Sequence, residues 1–320
     1  MTKYLSDQNK IVMIHESGTY ATTSGGGVWI GLVQENTINE NTNVNPIRYQ
    51  GSTDRNVDVF TDGVLGYTGT LTYYPQDFRL LGYTIGSVVD SLGTHVITEN
   101  NGDDRVQTMN QPLTSFTMED SKTSTTTDNN FIRTVKGTMV DSYTLTFTQG
   151  EPVSCEIGYV AQDVTFSSGT STSVTVNGSR PYLWSDAQFH LPSGTVVNNV
   201  TEMTLTVNNN LATGQYINGS RVAYEFLPQN RDYELALTLY LDNTNAKTLY
   251  YQYFLGGSEF NCMIKAQGTP GSAFIVMSGC KITDMEAPSP VEGINEQTIT
   301  VQPKSLSASI TDAISKYNAW

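Results

Sequence analysis

Residues 48–86, RYQGSTDRNVDVFTDGVLGYTGTLTYYPQDFRLLGYTIG, have a second version at residues 220–257, SRVAYEFLPQNRDYELALTLYLDNTNAKTLYYQYFLGG, and this repeat limits the possible folds more than any other feature of the chain. Both copies open with strand-like alternation, turn sharply, run out through a second strand and end in an aromatic segment closed by glycine. With Tyr67 laid on Tyr233, the residues Leu71, Thr72 and Tyr74 meet Leu237, Thr238 and Tyr240 at the same offset. A fixed-period repeat is the signature of one supersecondary unit used more than once. The expectation is one β fold written twice.

Successive side chains of a strand point to opposite faces. Tyr233, Leu235, Leu237, Leu239 and Leu241 therefore share one face, while Glu234, Ala236, Thr238 and Tyr240 share the other. The first set suits a core, the second water or a neighbour. Downstream, residues 136–166 answer residues 278–310 in the same order: a glycine, an aspartate soon after (Asp141, Asp284), a Gly turn (Gly150, Gly293) and an alternating strand.

The 320 residues suffice for two modules of ordinary size. Tyr, Thr and Val recur in short runs punctuated by Gly and Asn, the pattern of an all-β sandwich or barrel. Asp and Glu outnumber Lys and Arg by 31 to 17, for a formal charge of -14. A protein that grips phosphates should be basic, so tight nucleic-acid binding is disfavoured. DNA meeting such a surface would be repelled and left to slide.

In chain order, IVMIHESGTY is followed by ATTSGGG at residues 21–27, a polar linker by composition, and together they read as an arm. VWIGLV at residues 28–33 reads as a strand. Pro75 can start a helix, Phe78, Leu81 and Ile85 fall at helical spacing, and Gly86 can end it. The segment NTNAKTLYYQYFLGG is the counterpart in copy two. SFTMEDSKTSTTTDNN at residues 115–130 reads as a solvated loop or hairpin tip. The end, LSASITDAISKYNAW, fits either a helix or a strand followed by a loose tail. The boundaries are an arm at residues 1–27, a first module at 28–180 and a second at 181–320 with a C-terminal tail.

No catalytic constellation emerges. His15, His95 and His190 lie far apart without metal-ligand spacing, and no GxSxG elbow marks a nucleophile. Gly25, Gly26 and Gly27 lack the spacing of a phosphate-cradling loop. Cys155, Cys262 and Cys280 are odd in number; Cys262 and Cys280 could pair if their strands are adjacent, although reduced buried thiols are favoured. No catalytic residue, metal ligand or cofactor is assigned. No signal peptide or membrane-spanning run is evident, so synthesis in a cytoplasm is expected. Two other classes stay open: a carbohydrate-binding adhesin using the tyrosine-rich surface, and a glycoside hydrolase whose carboxylates meet only in space.

HESGTYA at residues 15–21, the block IRYQGSTDRNVDVFTDGVLGYTGTLTYYPQDFRLLGYTIG and the later KGTMVDSYTLTFTQGEPVSCEIGYVAQDV together resemble the major tail tube proteins of tailed viruses of bacteria and archaea. Ala21 stands where such proteins often have glycine. The resemblance implies a non-enzymatic virion protein of the tail, assembled in the host cytoplasm as stacked rings. Its partners would be itself, other tail proteins and genomic DNA that passes without specific binding, with no membrane role. It also implies two tandem tail-tube-like β-sandwich or barrel modules with short flanking helices. Ordinary members place one module six times around a ring, so two fused modules would close the circle with three chains. Candidates for the lumen are the polar positions Asp58, Thr68, Thr70, Thr72, Glu225, Glu234 and Thr238.

Overall fold

A computed structural model describes residues 9–16, 20–49, 56–100, 113–123, 130–191, 194–242, 245–288 and 293–317. The chain is all-β with short helices. Its first half comprises β1 (Asn9–Glu16), β2 (Thr23–Val28), β3 (Leu32–Asn41), β4 (Asn45–Ile47), β5 (Val59–Thr61), β6 (Gly66–Tyr74), α1 (Arg79–Ile85), β7 (Gly86–Ser91), β8 (Thr94–Glu99), β9 (Phe116–Lys122), β10 (Phe131–Thr148), β11 (Ser154–Ala161) and β12 (Asp163–Ser167). The second comprises β13 (Ala187–Leu191), β14 (Thr195–Val197), β15 (Val200–Asn208), β16 (Ala212–Gly214), β17 (Glu225–Leu227), β18 (Asp232–Tyr240), α2 (Asn245–Thr248) continuing as a π-helical stretch (Leu249–Leu255), β19 (Phe260–Gly268), β20 (Gly271–Glu286), β21 (Glu296–Gln302) and β22 (Ser305–Asp312).

The long strands β10 and β20 organise the rest, because each belongs to two sheets. The first part of β10 lies in the order β2-β1-β9-β10-β12, and the first part of β20 in the order β14-β13-β19-β20-β22. Both strands then bend at a glycine in the left-handed region, Gly137 at φ 61° and Gly279 at φ 62°, and enter a second sheet. Glycine takes this conformation without steric penalty. The second sheet is shared and runs β3-β6-β11-β10-β15-β18-β21-β20, all antiparallel.

Register repeats together with order. β10 meets β12 with Ile132 opposite Ser167, and β20 meets β22 with Phe274 opposite Ser309, so one offset carries both partners of the first pair onto the second. That offset also relates β10–β11 to β20–β21, including a bulge at Asp141 and its equivalent Thr283. The ladders β3–β6 and β15–β18 share one bulge as well, between Val33 and Glu35 and between Val200 and Glu202. Among the described residues the β7–β8 hairpin of the first half has no counterpart: it crosses over and pairs with β22 of the second.

One continuous hydrophobic core runs through both halves, from Met13, Leu81 and Phe116 to Ile275, Leu306 and Ile310. Its centre is the buried face of the shared sheet, where Leu71, Ile157, Leu145, Leu205, Leu237 and Ile299 alternate with polar residues on the other side. The helix expected after Pro75 is α1, fully buried and closed by Gly86 at φ 103°. Its amphipathic spacing serves to cover the sheet.

Four local expectations need correction. VWIGLV, read as one strand, is instead the connection in which β2 ends at Val28 and β3 begins at Leu32. The glycine-rich residues read as a linker form β2, held against β1 by Met13–Val28 and Ile14–Gly27 pairing. A Cβ on Gly27 would lie 2.5 Å from Val12, so small size rather than flexibility accounts for that glycine. The polar tract from Ser115 begins with the buried strand β9, whose Glu119 accepts from Thr172 and whose Asp120 pairs with Arg133 at 2.6 Å; residues 124–129 lie outside the described residues. The C-terminal segment is strand β22 followed by an anchored tail, since Tyr317 is wholly buried.

Candidate functional site

The shared sheet presents one broad polar face, and cross-strand pairing defines its rows. Residues directly opposite each other share a face. Glu35 faces Thr72, Thr72 faces Glu156, Glu156 faces Thr144, Thr144 faces Thr206 and Thr206 faces Glu234. A second row joins Glu202, Thr238, Thr298 and Glu286. A third joins Thr146, Thr204, Ala236, Thr300 and Asp284. The face is thus a field of threonine hydroxyls set with carboxylates, and Lys281 at the β20 border is the basic side chain placed among them.

Five of the expected residues meet here: Thr68, Thr70 and Thr72 on β6, and Glu234 and Thr238 on β18. Two do not. Asp58 lies beside the small β4–β5 hairpin, where its backbone N–H donates to Ile47. Glu225 lies on β17 of the other small sheet, buried, and accepts a hydrogen bond from Tyr216 at 2.5 Å. Glu35, Glu156, Glu202, Asp284 and Glu286 belong to the face but escaped the sequence reading. The available signal was parity for Glu156 and Glu202, which alternate with the buried residues of their own strands, whereas Glu35, Asp284 and Glu286 lie in stretches without such alternation.

The two hairpin excursions project from the sheet and touch. Arg221 donates to the Gly63 carbonyl at 2.8 Å and lies 3.1 Å from Asp62, and the N–H of Leu65 donates to the Arg221 carbonyl. The first excursion exposes Ile47, Tyr49, Val59 and Phe60; the second exposes Tyr216 and Ile217. Exposed apolar residues grouped in this way mark contact surfaces.

A buried polar cluster fastens the two halves together. His95 on β8 is fully buried and has one ring nitrogen 2.6 Å from Asp90 and the other 3.1 Å from Asp312. Tyr317 stacks on it at 3.8 Å and donates to Asp312 at 2.5 Å. Asp77 lies nearby with Arg79; burial pushes its carboxyl up, and Arg79 pulls it back down. His15 donates to or accepts from Tyr83 at 2.5 Å and is held down to about 4 by burial and by Arg79. Histidines isolated in the sequence therefore have partners, and for His95 one of them comes from the opposite half of the chain, where no local spacing could reveal it.

Among the described residues no group of His, Cys, Asp and Glu could hold a metal ion. Cys262 and Cys280 are free thiols 3.6 Å apart, and burial pushes Cys155 up to about 12.

A wide polar face and grouped exposed hydrophobic loops define a structural subunit made for assembly. A model of the phage tail tube protein family matches residues 52–309, and the chain belongs to that family. It is accordingly a structural protein of the virion tail. A search of curated proteins finds no match. Among solved structures, the SPP1 tail tube determined by solid-state NMR and cryo-EM is similar at 13% identity, over 42% of this chain and 81% of its own, with a TM-score of 0.33.

Proposed function

We propose that this chain is the major tail tube subunit, that it carries two tube modules, and that three chains close one ring of a hollow, stacked conduit for the genome. The observation that carries this reading is the ladder-for-ladder repetition of the two halves across a shared sheet. Each half supplies four strands to that sheet, and the β10–β15 ladder joins one half to the other as neighbouring modules would be joined around a ring. A head-to-tail contact that closes laterally and repeats axially makes a tube.

The polar face then lines the lumen. Threonine hydroxyls offer a wettable surface, and the carboxylates repel phosphates, which suits passage over retention. The exposed apolar excursions around β4–β5 and β16–β17 supply contacts between rings, and other tail proteins cap the ends. Electron microscopy of the concentrated protein tests this: hollow filaments of uniform width with three chains per ring are expected, and six whole chains per ring refute the stoichiometry. Replacing Glu156, Glu202 and Glu234 by Lys should make tubes retain DNA in a salt-dependent way; equal DNA retention before and after the change refutes the lumen assignment.

A further inference from the structure

The two halves differ at one equivalent place, where the first is plugged and the second is open. In the first half Tyr73, Cys155 and Leu145 form a row across β6, β11 and β10, each at most 1% exposed. Next to the end of β6 stands Tyr182, carried on the segment that leads into the second half. Its N–H donates to the Pro75 carbonyl at 3.1 Å, its carbonyl accepts from the N–H of Val153 at 3.0 Å, and its ring packs on Phe78 with centroids 4.9 Å apart. Leu183 beside it is extended, with φ −111° and ψ 160°, and Tyr182 itself is fully buried. A tyrosine on an extended segment thus seals this end of the first core.

The offsets that superpose the ladders carry the row onto Leu239, Gln297 and Ala287, and carry Pro75 and Val153 onto Leu241 and Asn295. Ala287 is the smaller counterpart of Leu145. No described residue bonds to the Leu241 carbonyl and the Asn295 N–H as Tyr182 bonds to their equivalents. What remains is a groove of about 520 Å³ lined by Leu241, Lys247, Tyr250, Tyr251, Ala287 and Gln297. Leu241, Tyr250 and Tyr251 are exposed, whereas α1, the counterpart of the segment that carries the two tyrosines, is wholly buried. That segment is π-helical, a rare form that is frequent at functional sites. Gln297 is 2% exposed, and its Oε1 has no donor among the described residues, which costs free energy until one reaches it.

We infer that this groove receives a tyrosine carried on an extended, basic segment of another protein. The first half supplies the pattern: the segment's N–H donates to the Leu241 carbonyl, its carbonyl accepts from Asn295, and the ring enters the space that Ala287 leaves beside Tyr251. The hydroxyl donates to Gln297 once the amide turns toward the groove. Main-chain bonds hold such a segment and the side-chain pocket selects it. Charge decides whose segment it is. The chain carries a formal charge of -14 and Asp242 also lines the groove, so a segment with a basic residue is drawn in, as Arg180 accompanies Tyr182, while a second copy is repelled. A second copy also has its own Tyr182 fully buried and cannot lend it without unsealing its first half. The groove lies within one chain, so docking there does not depend on how many chains close a ring.

The test uses a fluorescein-labelled peptide with the sequence of residues 179–185, SRPYLWS, titrated with the unassembled full chain and followed by fluorescence anisotropy. Saturable binding is expected, weakened about tenfold or more by Tyr182→Ala in the peptide, since a buried tyrosine anchor dominates contacts of this kind. Tyr182→Phe in the peptide should weaken it several-fold through loss of the bond to Gln297. In the chain, Ala287→Leu refills the row as Leu145 does, and Tyr251→Ala removes an exposed wall. Both variants should keep the parent's circular dichroism and bind the peptide about tenfold less tightly.

No saturable binding to the unmodified chain overturns the proposal. So does binding that neither Ala287→Leu nor Tyr251→Ala changes, because the peptide then sits elsewhere, for instance in place of Tyr182 in the first half. Self-association that Tyr251→Ala abolishes, with no peptide bound, gives the groove to a second copy and overturns the choice of partner. Equal affinity for the tyrosine and phenylalanine peptides overturns the role given to Gln297.

Discussion

Gly137 and Gly279 occupy the same corner of the two halves and share the same backbone conformation, yet their surroundings differ, which allows a controlled experiment. Substituting alanine at either site forces a side chain into the left-handed region, at a cost of about 1–2 kcal/mol. Loss of glycine's freedom in the unfolded chain offsets about 0.4–1 kcal/mol of that. At Gly279 the new Cβ would lie 2.8 Å from Cδ of Lys304 and 3.2 Å from its Cβ, and this exposed side chain can shift at the expense of its surface bond to Glu259. The net loss there should be about 0.5–1 kcal/mol. At Gly137 the new Cβ would lie 2.9 Å from the Tyr20 ring and 3.0 Å from Cβ of Gln162. Tyr20 is held in place by its own hydrogen bond to the Gly137 carbonyl at 3.0 Å, so it cannot yield without losing that bond. Overpacking of this kind adds about 1–3 kcal/mol, for a total of about 1.5–4 kcal/mol. Urea unfolding of the unassembled protein, followed by tryptophan fluorescence, measures both variants against the parent. Equal losses, or a larger loss at Gly279, would refute the reasoning.

Three further outcomes follow from the same structure. His95→Leu removes the buried side chain that Asp90 and Asp312 share while leaving them their bonds from Tyr317, and should cost about 1–3 kcal/mol in urea unfolding; no measurable loss would show that the cluster does not fasten the halves. Because His15 titrates near 4 when folded and near 6.5 when unfolded, its neutral form stabilises the fold fully above pH 6.5. That contribution is lost as pH falls from 6.5 toward 4, so the pH–stability curve of His15→Gln should be flatter than the parent's in this window. Cys155, enclosed and pushed up to about 12, should resist a thiol reagent at pH 8 until urea is added; rapid labelling of the native protein, located by mass spectrometry, would contradict its burial.

Much of the fold was legible from alternation. The offset that carries Tyr67 onto Tyr233 is the one at which β6 and β18 sit in equivalent register against their partners. The buried row Tyr233, Leu235, Leu237 and Leu239 was legible for the same reason, although Leu241 lies past the end of the strand and is exposed. The α1 helix was legible from Pro75, its apolar spacing and Gly86. Where local chemistry pointed one way and packing another, the reading failed. Gly25–Gly27 resembles a linker by composition, but it forms part of β2, and close approach of β1 makes a small residue necessary at Gly27. The tract from Ser115 resembles a loop because Glu119, Asp120 and Ser121 are polar, but each finds a partner inside the fold.

Composition and periodicity alone therefore determined that the chain is β, written in two similar passages, acidic, and built with one polar and one apolar side to its long strands. These are short-range properties: each depends on a residue and its near neighbours along the strand. Tertiary structure alone decided that the two passages share one sheet, that a hairpin of the first half completes a sheet of the second, and that Asp58 and Glu225 stand apart from the polar face. It also decided that His95 meets Asp90 and Asp312. Such contacts join residues far apart in the chain, and their geometry is set by which strand lies beside which, a choice that side-chain alternation cannot encode.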